Sequence, residues 1–253
     1  YTKPDGSAPL WGDADDGRVL PFGGQDINDH RYLPDLFRNE WSASENAYNS
    51  SECFWSYGYQ GGAPIQSKVP VSRCFENSGY FIMASEQDHV FIDCGPIGLG
   101  GKGGHGHNDC LSFEATLAGV PLISDSGTYV YTASYEQRDE FRATLAHNTP
   151  MIDGVEQNRF VSDEELFSLQ YDAKPVVRSW STSADTDVFV GTHSGYQKLD
   201  QPVFPVRKII LEKATHRLFI QDSFDGEGTH SIRIPLHFSP GCQILELGPT
   251  NWL

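Results

Sequence analysis

Phe113-Glu-Ala-Thr-Leu-Ala118-Gly119-Val120-Pro-Leu-Ile-Ser-Asp125 decides the fold class. Phe113, Ala115 and Leu117 before the Ala118-Gly119 pair, and Val120 and Leu122 after it, recur at every second position. That is the pattern of a half-buried β-hairpin and not of a helix. A two-residue turn sets Leu117 opposite Val120 and Ala115 opposite Leu122, which leaves Asp125 opposite Ser112.

Outward from this hairpin, short runs bounded by turn residues continue at 80–84, 90–93, 111–117, 120–124, 188–192, 208–212, 218–222 and 231–238. Many short strands at such spacing predict a mainly β chain, a large antiparallel β-sandwich of stacked sheets over residues 69–253, with little helix. Residues 1–68 differ in texture. They are rich in Asp, Gly, Pro and Asn, carry Trp11, Trp41 and Trp55, and read as an irregular junction segment in which 33–47 alone is suited to helix. The chain has no internal repeat and no low-complexity stretch.

At 253 residues and 38% hydrophobic the chain can bury a sizeable core. Its net charge of −16 repels nucleic acid and anionic membrane, so neither is an expected partner. Binding of an acidic polymer would have to rely on local Arg and Lys clusters. No apolar run approaches the ~20 residues that a membrane helix needs. Five cysteines without a C-x-x-C spacing exclude zinc ribbons and redox motifs, and their odd number leaves at least one thiol free within a monomer. The first residue is Tyr1, so a leader lost with an upstream part is an expectation.

The densest chemistry lies in Gly100-Gly-Lys-Gly-Gly-His105-Gly-His107-Asn108-Asp109. Glycines let a backbone pass close to a ligand, and two imidazoles two residues apart point to one side of an extended segment. On the motif alone, a surface loop with incidental histidines is an equal reading. Asp125 ends the hairpin, and Ala146-His147-Asn148-Thr149 opens another apolar run. Two neutral imidazoles and a carboxylate at ~2 Å, with a fourth position for water, are a set that zinc accepts. The simple hairpin places His107 about 17 Å from Asp125 and on the other face. One ion can reach both only if the glycine-rich segment folds back or carries a bulge.

The run His105-Gly-His107-Asn108-Asp109, then Gly119-Val-Pro-Leu-Ile-Ser-Asp125-Ser-Gly-Thr-Tyr129-Val-Tyr131, then Arg138-Asp-Glu-Phe-Arg142-Ala-Thr-Leu-Ala-His147-Asn148, resembles the signature of the heparinase II/III-like polysaccharide lyases. Pro4-Asp-Gly-Ser-Ala-Pro-Leu-Trp-Gly-Asp13-Ala-Asp15-Asp16-Gly-Arg18 is similar to the end of that family's helical toroid, and Leu236-His237-Phe238-Ser-Pro240 to a late strand of its sandwich. The resemblance implies an (α/α) toroid joined to stacked antiparallel sheets, with substrate between them, and cleavage of uronic-acid-containing polysaccharide by β-elimination. It implies a divalent metal, zinc by its donor types and structural in role, on His107, Asp125 and His147, and an active-site histidine at His105. The toroid's Asn, His and Tyr have no matching segment here, so the resemblance places the catalytic base upstream and makes the toroid a partner of this domain.

Elimination removes the proton at C5 beside a carboxylate, and that proton is acidic only if the carboxylate's charge is neutralised. Asn108, Arg138 and Arg142 are candidates to bind substrate. Tyr129 and Tyr131 are candidates to shuttle the proton, with sheet packing as their plain alternative. For the two arginines the alternative is surface ion pairs. Asp15, Asp16 and Arg18 read as an acidic turn, and His193, His216, His230 and His237 as structural. Trp41, Trp55 and Tyr57 are expected to pack the irregular segment on the sheets. Two other classes stay open: a non-catalytic carbohydrate-binding or scaffold sandwich, and a zinc-dependent hydrolase built on the same three ligands. A periplasmic or extracellular location follows from the resemblance alone.

Overall fold

A computed structural model describes residues 1–14, 17, 22, 26–33, 54–55, 70–248 and 251–252. The expected helix at 33–47 lies outside these residues apart from Leu33, as do Asp15, Asp16, Arg18, Trp41 and Tyr57. Five strands form the first sheet as a meander: β1 (Arg73–Phe75), β2 (Tyr80–Ala84), β3 (His89–Asp93), β4 (Phe113–Leu117) and β5 (Val120–Ile123), each antiparallel to the next. A helix, α1 (Tyr135–Arg142), and a two-residue strand, β6 (Met151–Ile152), follow. The second sheet is β7 (Pro175–Thr182), β8 (Thr186–His193), β9 (Val203–Glu212) and β10 (Arg217–Gly226), antiparallel in the order β10-β9-β8-β7. Then β11 (Ile232–Arg233) returns to pair with β6, and β12 (Glu246–Gly248) pairs with β13 (Asn251–Trp252). This is the mainly β, antiparallel architecture expected.

The two sheets pack face to face. Phe81, Met83, Val90, Ile92, Phe113 and Ala115 of the first meet Phe189, Ile209 and Leu211 of the second in one buried cluster, the alternate residues of each strand. Ile82, Ala84 and Phe91 on the opposite face of the first sheet are covered by Trp11, whose ring stacks on Phe91 at 5.2 Å. The N-terminal residues are thereby laid over the sheet and delivered to the neighbourhood of the glycine-rich loop. Trp55, expected to pack, is 63% exposed.

Two local expectations are corrected, and one element was not anticipated. Leu117 does face Val120, but Ala115 faces Ile123 rather than Leu122, because a bulge interrupts the ladder between Ala115 and Thr116. The extra residue shifts everything after it by one position, Asp125 included. The run at 231–238 pairs as a strand only at Ile232–Arg233, with an isolated bridge between Phe238 and Ile123. Helix α1 carried no periodic apolar signal, because the side chains it buries are Arg138 and Arg142, four residues apart on one face. Ser134 caps it by accepting from the Gln137 N–H.

Candidate active site

The glycine-rich loop folds back on itself. A Cβ at Gly106 would stand 2.4 Å from the Ile97 carbonyl oxygen, so only glycine admits this return of the chain. The N-terminal residues clamp it from the other side. Asp13 N–H donates to the His105 carbonyl at 2.9 Å, Gly12 N–H donates to Asp109 Oδ2 at 2.9 Å, and a Cβ at Gly12 would lie 2.4 Å from that same His105 carbonyl. Asn148 brings up the third segment: its Nδ2 donates to the Phe113 and Ser124 carbonyls, both at 3.0 Å, which ties the residue after His147 to the two strands of the hairpin.

Asp13 is the centre of the resulting cluster, and its side chain is 1% exposed. One oxygen accepts from His107 Nε2 at 2.8 Å, the other from His105 Nδ1 at 2.9 Å, and the carboxylate takes both terminal nitrogens of Arg138 in a fork. Burial alone would raise this carboxyl, but donation from His107, Arg138 and His105 outweighs it and holds the group at about 2. An ionised Asp13 only accepts, so each histidine directs an N–H at it. His105 then has its proton on Nδ1 and turns Nε2 away from Asp13 on a side chain that is 62% exposed. His107 has its proton on Nε2, and its Nδ1 is buried without a hydrogen-bond partner.

His147 is the second such case. Its Nδ1 donates to Asp125 Oδ2 at 2.7 Å, while Nε2 is buried and unpartnered. Burial disfavours its charged form, yet the Asp125 carboxylate beside it leaves the imidazole raised above its ordinary value. Asp125 itself also accepts from the Gly127 N–H, and His147 and that N–H hold it below the usual range against the opposing effect of burial. The His107 and His147 rings lie 5.2 Å apart. Two buried ring nitrogens without partners on neighbouring imidazoles, with a carboxylate on one of them, are of the donor types that a divalent cation takes. Among the described residues no three His, Cys, Asp or Glu side chains already converge as a ligand cluster.

The other anticipated residues divide. Tyr131 lies 6.4 Å from the His105 ring and against the Arg138 guanidinium at 5.2 Å, inside the site. Tyr129 stacks on Phe141 of α1 at 5.0 Å instead. Arg138 is fully buried and occupied by Asp13. Arg142 is fully buried too: it donates to the Leu166 and Ser168 carbonyls and pairs with Asp139, so its guanidinium is taken up within the fold. Asn108 exchanges hydrogen bonds with the Asn158 backbone in both directions and also donates to Glu156. Its buried amide is used in holding the loop. A cavity of about 230 Å³ opens beside the cluster, with Trp11, Asp13, Tyr80, His105 and Asp109 in its walls. Sequence reasoning missed Asp13, which meets His105 and His107 from more than ninety residues away; the quoted Trp11-Gly-Asp13 was its one local mark.

Residues 68–250 match the family described as heparinase II/III-like, C-terminal. The chain belongs to the heparinase II/III-like family. No curated protein is similar enough to match. Among solved structures, heparan sulfate lyase HepC from Pedobacter heparinus is similar at 18% identity and a TM-score of 0.64 over 96% of this chain and 33% of its own. The heparinase III BT4657 gene product is similar at 19% identity and 0.65, over 97% of this chain and 33% of its own. A further heparinase III structure stands at 15% and 0.65, over 98% and 36%. At these identities the likeness is one of fold. This heparinase II/III-like chain spans about a third of the length of those structures.

Proposed function

We propose that this domain forms half of the active site of a polysaccharide lyase that cleaves a uronate-containing glycosaminoglycan by β-elimination, with a helical toroid of the same protein supplying the base. Family membership supports the reaction class. The observation that carries the site is His105, exposed beside an otherwise buried cluster, with Nδ1 tied to Asp13 and Nε2 directed elsewhere.

In the elimination the C5 proton passes to a base, the C4–O bond breaks with its electron pair going to the leaving oxygen, which takes a proton from an acid and departs as a hydroxyl, and a C4=C5 double bond forms in the new terminal sugar. Charge builds on the C5 carboxylate on the way, and a donor already aimed at it stabilises the transition state. His105, with Nε2 directed out of the cluster, is the group that meets it, and Asp13 fixes its ring through Nδ1. Tyr131 lines the same approach. His107, Asp125 and His147 would hold one divalent ion, zinc by donor type, and so fix the loop on which His105 sits; His107 Nδ1 and His147 Nε2 are the nitrogens free for it, and in the arrangement described Asp125 orients the His147 ring from Nδ1. An extracellular or periplasmic setting, where such polymers are met, goes with this reading.

The test is spectroscopic. Elimination leaves an unsaturated uronate that absorbs in the ultraviolet, whereas hydrolysis releases reducing ends with no such absorbance. In the toroid-joined protein His105→Ala should lower turnover sharply with metal content unchanged. Normal turnover in that variant would remove His105 from the site.

A further inference from the structure

We infer that Phe167 is a substrate-positioning residue: with Tyr131 it makes a fixed aromatic shelf beside His105 that receives the apolar face of a pyranose ring. The inference deepens the lyase reading and rests on it. Phe167 is 38% exposed. Its ring centroid lies 5.9 Å from that of His105 and 5.7 Å from that of Tyr131, edge to face in both cases. The Arg138 guanidinium sits 5.3 Å from the Phe167 ring and 5.2 Å from the Tyr131 ring, and so backs both.

An exposed phenylalanine on a loop is ordinarily a loose one. Here the backbone on both sides of it is pinned. The Arg142 guanidinium, fully buried, donates to the carbonyl of Leu166 at 2.5 Å and to that of Ser168 at 2.9 Å. Leu166 and Leu169 are buried anchors at 5% and 3% exposure, and Leu169 N–H donates to the Lys102 carbonyl at 3.0 Å, tying the segment to the glycine-rich loop. A buried guanidinium, itself held by Asp139, thus fixes the two carbonyls that flank an exposed ring. Folding gains little from holding that ring in water, whereas a rigid aromatic loses little entropy when a ligand covers it. A pyranose has an apolar C–H face and polar edges. Phe167 and Tyr131 match the face, and His105 at the rim meets the edge that carries the carboxylate.

A heparan sulfate tetrasaccharide titrated into the toroid-joined protein, as wild type and as Phe167→Ala, Phe167→Trp and Phe167→Leu, with NMR shifts of labelled aromatic side chains as readout, decides the matter. The expected result is perturbation of the Phe167 and Tyr131 rings, affinity about tenfold weaker in the alanine and leucine variants, and recovery in the tryptophan variant. The melting temperature should fall only slightly in the alanine and leucine variants, because the ring packs on Tyr131 and Arg138 but lies outside the core, and the tryptophan variant should match the wild type. Equal affinity in wild type and Phe167→Ala overturns the shelf and leaves the lyase reading standing. Absence of wild-type binding overturns the substrate class and the shelf with it.

Discussion

Asp13 holds two imidazoles and a guanidinium with a single carboxylate, so its replacement should be felt in both stability and geometry. Asp13→Asn keeps the shape but removes the charge that balances a fully buried Arg138. Breaking a buried pair in this way costs about 3–5 kcal/mol, which urea unfolding would show. A loss below about 1 kcal/mol would mean that Arg138 has another counter-charge. His105 and His107 should separate cleanly: His107→Ala loses bound metal and lowers the melting temperature together, whereas His105→Ala does neither, because one nitrogen is buried toward the proposed ion and the other ring is exposed. The histidine pair was legible in sequence because it is a local motif. Asp13 was not, since nothing in the pattern around residue 13 reveals a partner at 105, 107 or 138. For Arg138 and Arg142 both readings, substrate contact and surface ion pair, placed the charge at the surface, whereas both guanidinia are buried, because sequence shows a positive charge and not which carboxylate or carbonyl it faces.

Among the elements, the central strand β8 offers two independent checks. Gly191 lies where a Cβ would stand 2.6 Å from the Phe189 ring and 2.9 Å from Leu111, between the sheets. Gly191→Ala should therefore overpack the core and cost about 1–3 kcal/mol in chemical denaturation. At the end of β8, His193 is buried, accepts the Gly195 N–H on Nδ1 at 3.0 Å, and is pushed down to about 3 by burial and by the charges of Lys198 and Arg207. The unfolded chain binds that proton near 6.5, so between about pH 6.5 and 3 the unfolded state holds more protons than the folded one. Its contribution is complete above 6.5 and declines as pH falls, by up to about 1.4 kcal/mol per pH unit. His193→Asn, whose side-chain oxygen can accept the same N–H, should flatten the fall of stability between pH 6.5 and 5. Identical slopes in variant and wild type would contradict a neutral buried imidazole. Strands with alternating apolar residues, such as β2, β3 and β9, were readable from sequence by their period. The bulge in β5 was not, because one extra residue leaves the composition of the hairpin unchanged while it alters which face Asp125 occupies.

On the scale of the whole molecule, three separate stretches meet at one end of the first sheet: the N-terminal residues around Asp13, the folded-back loop at His105 and His107, and the segment of α1 and His147. Metal removal tests whether an ion joins the last two. Dialysis against a chelator should lower the melting temperature, and added zinc should restore it, as for any ligand that binds only the folded state. No change on chelation, with no metal found before it, would dismiss the ion. The central claim is that this architecture serves elimination, and that it does so only together with a toroid, since base, neutraliser and groove must be placed within about 1 Å of one another. The most direct measurement is ultraviolet absorbance alongside reducing-end release, with heparan sulfate given to this chain alone and to the protein that joins it to its toroid. The account expects absorbance and reducing ends to rise together in the joined protein and neither to rise with the isolated chain. Reducing ends without absorbance would contradict it, as would full absorbance from these 253 residues alone.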